Sequence, residues 1–131
     1  MIRLPRHPAI WFTGLLLWMG VLWYFSSQPG SGKPYPVDHV DKVLHFIYFL
    51  CGGIGCAGWL FRLRPEPPNW RRIILLTILL LSAVGVIDEW HQSHTPNRSG
   101  NDPGDMMADF LGAVAGAFTF KWLHRHIRWN S

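Results

Sequence analysis

Long runs of apolar residues alternate with short polar segments along the chain. Four runs of 15 to 19 residues stand out, at Ala9–Phe25, Val43–Phe61, Ile73–Ile87 and Met106–Trp122. A helix that crosses the hydrocarbon core of a bilayer needs about 20 apolar residues, with a range of roughly 17 to 25. The third run reaches that length when Trp70 and Trp90 at its flanks are included, because Trp is favoured at membrane interfaces. The pattern therefore predicts an all-α integral membrane bundle of four transmembrane helices in one domain, residues 1–131, with helices near 9–25, 43–61, 70–90 and 106–122.

The composition agrees with a membrane protein and argues against several other classes. Apolar residues make up 49 % of the chain and charged residues 15 %, whereas soluble domains average about 25 % charged residues. Disordered tails have low hydrophobicity, and disulfide scaffolds need more than two cysteines. The basic residues form short clusters at the ends of apolar runs, so no nucleic-acid partner is expected. Membrane lipids are the expected partners, and a soluble bundle with unusually apolar helices is the main alternative.

Basic and acidic residues separate to opposite ends of the predicted bundle. Nine of the twelve Lys and Arg residues lie in the N-terminal segment, the middle loop and the C-terminal tail. Seven of the eight acids lie at the other end, namely Asp38, Asp41, Asp88, Glu89, Asp102, Asp105 and Asp109. The eighth acid, Glu66, lies in the middle loop, which also contains Arg64. Because cytoplasmic loops are enriched in Lys and Arg, we expect both termini in the cytoplasm and the acidic end on the outer face of the cytoplasmic (inner) membrane.

Polar side chains recur at helical spacing at this outer end. Three pairs share a helix face at spacings of three or four: Asp41 and His45, Glu89 and Gln92, and Asp105 and Asp109. Ionisable residues in membrane segments normally face the protein interior or water and pair with one another. We therefore expect the three faces to meet, with Lys42 or Arg98 neutralising part of the acidic charge. The turn signals Pro96-Asn97 and Pro103-Gly104 indicate that the third loop folds back over the bundle.

These residue types suggest two kinds of chemistry. An arginine can hold a carboxylate or phosphate with two parallel hydrogen bonds, so Arg98 is a candidate ligand-binding residue. The other candidates for ligand binding at the same end are Asp41, Lys42 and Gln92. Carboxylates and imidazoles at one site can exchange protons, so the candidate catalytic acid–base residues are Glu89, His45, Asp105 and Asp109. His91 and His94 are weak metal candidates, because they lack a recognised zinc spacing. No cofactor is expected.

Three motifs occur in order along the chain, with Ser26-Ser27-Gln28-Pro29 ahead of them. They are Asp41-Lys42-x-x-His45, Asp88-Glu89-x-x-Gln92 and, after Arg98, Asp105-x-x-Ala-Asp109-x-x-Gly112-x-x-x-Gly116. In this combination the chain resembles the VanZ-like family of bacterial membrane proteins from Trp18 to Gly116. It differs from many relatives in having Asp109 where they have Asn, and in a longer Gly100–Gly104 stretch. The resemblance implies a protein of the bacterial cell envelope linked to glycopeptide (teicoplanin) resistance, and it brings no defined reaction.

Three functional hypotheses follow. The first is a binding protein that recognises an anionic envelope ligand or a lipid-linked precursor with its outer-face residues. The second is a membrane-embedded enzyme that uses the same residues for acid–base chemistry. A small transporter ranks last, because four short helices offer little path unless the chain forms an oligomer.

Overall fold

The computed structural model describes residues 2–34, 39–63 and 67–130. Asp38, Arg64 and Glu66, which entered the charge argument, lie outside the described residues. The described part of the chain contains four α-helices: α1 (Pro8–Ser26), α2 (Val40–Arg62), α3 (Trp70–Gln92) and α4 (Pro103–Leu123). A three-residue 3₁₀ helix, His124–His126, follows α4. Each of the four spans expected from the sequence lies inside one of these α-helices.

The helices are apolar on their outer surfaces. Within the described ranges, α1, α2 and α3 are long and apolar enough to cross a membrane. Leu17 of α1 and Leu79 of α3 are each about two thirds exposed, at 67 % and 66 %. Exposed apolar surface this extensive is typical of a membrane or a partner interface. The helical fold class and three membrane-length apolar helices are thus confirmed. α4 differs from these three helices in carrying two aspartates near its start and in being rich in Gly and Ala.

Glycines bring α4 into backbone contact with α2. A β-carbon added at Gly116 would lie 2.8 Å from the α-carbon of Gly53, and one added at Gly112 would lie 2.9 Å from the β-carbon of Phe49. Both distances are shorter than ordinary contacts, so a larger residue at either position would push the helices apart. Small residues at such positions let membrane helices pack closely where no hydrophobic force drives them together.

The start of α4 differs from the sequence prediction. Pro103-Gly104 was expected to form a turn, and this expectation was wrong, because both residues lie in the first turn of α4. Asp102 is the N-cap, and its side chain accepts a hydrogen bond from the Gly104 N–H at 2.7 Å. Proline is favoured at the first helical position because its missing N–H has no partner there anyway. The helix therefore begins early enough to include Asp105 as a helical residue.

Two short strands, which the sequence analysis did not predict, join the ends of the chain. β1 (Ile2–Pro5) and β2 (Ile127–Asn130) form a parallel pair in which Ile2 is opposite Ile127. An aromatic group that includes Trp11, Phe61 and Phe120 packs beside this pair. The strand pair holds both ends of the described chain at the same end of the bundle, opposite the acidic residues of α3 and α4.

Candidate functional site

Three carboxylates surround the ammonium group of Lys42. Lys42 Nζ lies 3.0 Å from Asp105 Oδ1, and it lies 3.3 Å from Oδ2 of both Asp41 and Asp102. The Asp105 side chain is buried, whereas the other three side chains are about one third exposed. Lys42 therefore ties the start of α2 to the start of α4 and offsets part of the negative charge at this end.

Asp102 is held in its charged form. Its carboxylate accepts the hydrogen bond from the Gly104 N–H and pairs with Lys42, and these interactions lower the pKa of Asp102 from its ordinary value of 3.8. Both contacts favour the ionised carboxylate over the neutral acid. The charge of Asp102 thus contributes to the N-terminal cap of α4 at neutral pH.

His45 lies one turn further along α2 and faces two aspartates of α4. His45 Nδ1 lies 2.8 Å from Asp109 Oδ1, and His45 Nε2 lies 3.8 Å from Asp105 Oδ2. Asp109 is 1 % exposed, and it fits there because Gly85 of α3 has no side chain. A carboxylate at this position accepts a hydrogen bond from Nδ1–H and fixes the orientation of the imidazole. The Nε2 atom is then directed toward Asp105.

Glu89 of α3 is fully buried beside these groups. Its Oε2 accepts a hydrogen bond from the Asp102 N–H at 2.9 Å, and its backbone carbonyl accepts one from the Asn101 N–H at 3.2 Å. Its Oε1 is buried and has no hydrogen-bond partner within the described ranges. A buried acceptor left unpaired costs about 1–3 kcal/mol, and more when it is charged. Glu89 therefore fastens the third loop to α3 and leaves one oxygen free for another group.

Asp88, the neighbour of Glu89, makes a separate buried connection to α1. It accepts hydrogen bonds from Ser26 Oγ and from Gln92 Nε2, the latter at 2.7 Å. Thr95 Oγ1 donates to the backbone carbonyl of Ser26 at 3.0 Å. Sequence reasoning did not assign a site role to Ser26 or Asp88, although both belong to the quoted motifs.

Arg98 reaches toward the end of α1. Its Nη2 donates to the backbone carbonyl of Phe25 at 2.8 Å, while its Nε is buried without a hydrogen-bond partner in the described part of the chain. The sequence left open whether Lys42 or Arg98 would pair with Asp105, and in the structure Lys42 makes that contact. Arg98 thus keeps donor capacity beside a cavity.

A cavity of about 510 Å³ opens at this end of the bundle. Its apolar wall includes Leu22, Phe25, Leu44, Tyr48 and Phe49, and its polar lining includes Asp41, His45, Asp88, Gln92 and Arg98. We call it the Arg98 cavity. A neighbouring cavity of about 700 Å³ shares Arg98, His45 and Gln92 and is also lined by Asp105. Glu89 and Asp109 line neither cavity.

The sequence-derived site residues fall into three places. Asp41, Lys42, His45, Glu89, Asp105 and Asp109 come together with Asp102, and we call these seven residues the charged cluster. Gln92 and Arg98 lie at the Arg98 cavity. His91 and His94 lie apart from the charged cluster: His91 stacks on Trp23 with ring centroids 3.8 Å apart, and His94 Nδ1 lies 2.8 Å from the Trp90 carbonyl.

Asp102 is the member of the charged cluster that sequence reasoning did not name as a candidate. Its position just before a proline and three residues before Asp105 is the signal of an N-cap that could have identified it. The two groups that could hold a metal ion among the described residues are His45 with Glu89 and Asp105, and Asp41 with Asp102 and Asp105.

The apolar helices, together with a cluster of charged side chains at one end of the bundle, define a multi-helix membrane protein. The VanZ/LLP1 family matches residues 11–124, which include every residue of the charged cluster and Arg98. The chain therefore belongs to the VanZ/LLP1 family, and the resemblance seen in its motifs is confirmed. No curated protein matches the chain, and no solved structure does.

Proposed function

We propose that the protein binds the anionic headgroup of a lipid-linked ligand of the cell envelope in the Arg98 cavity. The headgroup contacts Arg98 and Gln92, and the hydrocarbon chain lies along the apolar wall toward Leu22 and Leu44. The observation that carries this proposal is the combination of an apolar wall with a partly unpaired arginine in one cavity. A ligand with a charged end and a hydrocarbon body complements both surfaces.

The lining of the Arg98 cavity holds the carboxylates of Asp41 and Asp88 as well as Arg98, and the hydrogen bonds already formed there determine which of these groups a ligand would meet. The carboxylate of Asp88 already accepts two hydrogen bonds, and Asp41 is paired with Lys42. Arg98 uses Nη2 on a backbone carbonyl and retains an unpaired Nε. Guanidinium groups bind phosphate and carboxylate through parallel hydrogen bonds. Arg98 is therefore the guanidinium that an anionic headgroup would contact at this cavity.

The proposal includes an orientation in the cytoplasmic membrane. Both termini lie at the cytoplasmic side, where the basic residues concentrate, and the Arg98 cavity opens on the extracytoplasmic side. It also includes a fourth span. α4 has 21 residues, which corresponds to about 32 Å at 1.5 Å per residue, and it keeps Asp105 and Asp109 inside the bundle, where ionisable residues are tolerated.

Binding of a long-chain polyprenyl phosphate to the full-length protein in lipid nanodiscs tests the proposal. The matched probe is the uncharged polyprenol, which differs only in the phosphate. A hydrogen bond to a charged group contributes about 1.5–3 kcal/mol, so we expect the phosphate to bind at least about 10-fold more tightly than the alcohol. Arg98→Gln should remove this preference, and Arg71→Gln, at an exposed position on the opposite end, should leave it unchanged.

Two results would contradict the proposal. One is equal binding of the phosphate and the alcohol by the wild-type protein. The other is an Arg98→Gln variant, shown to be folded by circular dichroism, that keeps the full preference for the phosphate. Titration with inorganic phosphate distinguishes a lipid site from a site for the free anion, because a lipid site should bind the free anion much more weakly.

Acid–base catalysis at the same cavity is a second candidate. The observation that favours it is His45, which lines the cavity and is oriented by Asp109 at 2.8 Å; a positioned imidazole of this kind can act as a general base. Binding ranks first because Glu89 and Asp109 do not line the cavity. Mass spectrometry of the polyprenyl phosphate after incubation separates the two, since binding leaves its mass unchanged and catalysis yields a new product.

A role in glycopeptide resistance is the last part of the proposal. If the ligand is an envelope precursor, expression of the protein in a teicoplanin-sensitive bacterium should raise the inhibitory concentration of teicoplanin. The effect should be lost with Arg98→Gln and kept with Arg71→Gln. An unchanged inhibitory concentration with the wild-type protein, at confirmed membrane abundance, would exclude this role in that host.

A further inference from the structure

We propose that His45, Glu89 and Asp105 form a binding site for a divalent transition-metal ion, with Zn²⁺ as the expected occupant. Asp109 is not a ligand in this site but orients the imidazole of His45. The site lies beside the Arg98 cavity and does not depend on the ligand proposed there.

The distances suit a single ion. One potential ligand atom from each of His45, Glu89 and Asp105 lies within 4.8 Å of the others. His45 Nε2 and Asp105 Oδ2 are 3.8 Å apart. Zinc sites are usually tetrahedral, with the ion about 2.0–2.2 Å from nitrogen and oxygen ligands, so two ligand atoms are about 3.3–3.6 Å apart. The His–Asp pair at 3.8 Å is slightly wider than this spacing, and the Glu89 ligand atom lies within 4.8 Å of both, so ion binding requires the three side chains to move closer together.

The remaining polar atoms of the three residues are engaged elsewhere in a way that directs the ligand atoms inward. Asp109 Oδ1 lies against His45 Nδ1 at 2.8 Å, which leaves Nε2 for a metal. Lys42 Nζ contacts the other oxygen of Asp105 at 3.0 Å, and the backbone N–H of Asp102 occupies Glu89 Oε2. A carboxylate behind a ligating histidine is the usual arrangement at zinc sites, because it fixes the tautomer and the ring orientation.

An unpaired buried atom supplies an independent indication of a ligand. Glu89 is 0 % exposed, and its Oε1 has no hydrogen-bond partner among residues 2–34, 39–63 and 67–130. Burying a carboxylate oxygen without a donor is unfavourable, and a cation coordinated at this atom would remove the cost. A divalent ion would also stabilise the ionised form of the Glu89 and Asp105 carboxylates that coordinate it.

The second acidic group does not support a metal in the same way. Lys42 Nζ lies between Asp41, Asp102 and Asp105 at 3.0–3.3 Å from an oxygen of each. An ammonium group at these distances fills the role of the cation. The ligand set at His45 also favours zinc over magnesium or calcium, because imidazole nitrogen suits transition metals and an all-oxygen shell suits the harder ions.

Zinc binding to the full-length protein in detergent, freed of any affinity tag, tests the inference. Metal content after exposure to Zn²⁺ and removal of excess ion should be one Zn²⁺ per chain. His45→Gln and Glu89→Gln should each lower the affinity by at least about 100-fold. Asp109→Asn should lower it by about 10–100-fold, the usual effect of losing a group that supports a metal ligand. His94→Gln, a matched change at an exposed histidine, should have no effect.

Several outcomes would overturn the inference. They are less than about 0.1 Zn²⁺ per wild-type chain, equal losses in His94→Gln and His45→Gln, or unchanged affinity in Glu89→Gln. Replacement by Co²⁺ gives a readout that does not depend on activity, since the visible absorption of Co²⁺ should shift in Asp109→Asn if that residue positions the imidazole. Arg98→Gln separates the two proposals, because it should keep one Zn²⁺ per chain while losing the preference for phosphorylated lipid.

Discussion

Replacing Gly112 by alanine changes the contact that brings α4 against α2 below the charged cluster. Gly112 lies three residues after Asp109, and a β-carbon added there would clash with the backbone carbonyl of Phe46, the residue after His45. If close backbone packing holds His45 and Asp109 together, one added methyl group at Gly112 should destabilise the bundle and weaken zinc binding.

The size of the effect follows from the geometry. The added carbon would lie 2.9 Å from Phe49 Cβ and 3.0 Å from Leu50 N, against 3.4–4 Å for ordinary contacts. Overpacking of this kind costs about 1–3 kcal/mol. Gly20 of α1 is the matched control, because a β-carbon there has no described neighbour within 4 Å. The helix-propensity gain of about 1 kcal/mol from Gly to Ala applies to both variants, so their difference in unfolding free energy should be about 1–3 kcal/mol.

Unfolding in mixed micelles with increasing SDS, followed by tryptophan fluorescence, measures this difference. The eight tryptophans together report unfolding of the bundle; among them, Trp18 of α1 stacks on Tyr48 and contacts Phe49 of α2 edge-on. Gly112→Ala should unfold at a lower SDS fraction than Gly20→Ala, and Gly20→Ala should unfold at the same fraction as the wild type or a higher one. Equal stability of the two variants would refute the conclusion that backbone contact between α2 and α4 supports the site.

Two further changes test local contacts. Ser26→Ala removes a donor to the buried carboxylate of Asp88, so it should lower the unfolding free energy by about 1–3 kcal/mol in the same assay. Ser27→Ala, at an exposed position, should have a smaller effect. Equal effects of the two changes would contradict this prediction. Asp102 stabilises α4 through its lowered pKa, so its contribution should be full above pH 3.8 and be lost as the pH falls further. Asp102→Asn, which keeps a cap acceptor for the Gly104 N–H, should remove that acid dependence, and an unchanged pH profile would count against it.

The helices could be predicted from the sequence because each apolar run is about as long as a membrane is thick. The spacing of Asp41 and His45, and of Asp105 and Asp109, likewise indicated which side chains share a helix face. The strand pair β1–β2 could not be predicted, because its backbone hydrogen bonds join two four-residue segments from opposite ends of the chain. Its segments are too short to carry a periodicity of their own.

The partners of the charged side chains depend on how the helices pack and how the loops fold, and they could not be predicted. The sequence placed Asp41 and His45 on one face of a helix, whereas the side chain of His45 lies against Asp109 of α4. Arg98, expected among the acids, donates instead to the carbonyl of Phe25. The first contact depends on how α2 packs against α4, and the second on how the loop before α4 folds against the end of α1.

Measuring which side of the membrane the charged cluster and the Arg98 cavity face is the most direct test of the binding proposal. Single cysteines introduced at exposed Ser99 and exposed Arg71, in a protein without Cys51 and Cys56, can be labelled with a membrane-impermeant thiol reagent. In intact cells Ser99→Cys should be labelled, and Arg71→Cys should be labelled only after the membrane is permeabilised. Labelling of Arg71→Cys in intact cells, with protection of Ser99→Cys, would put the cavity on the cytoplasmic side and contradict recognition of an extracytoplasmic ligand.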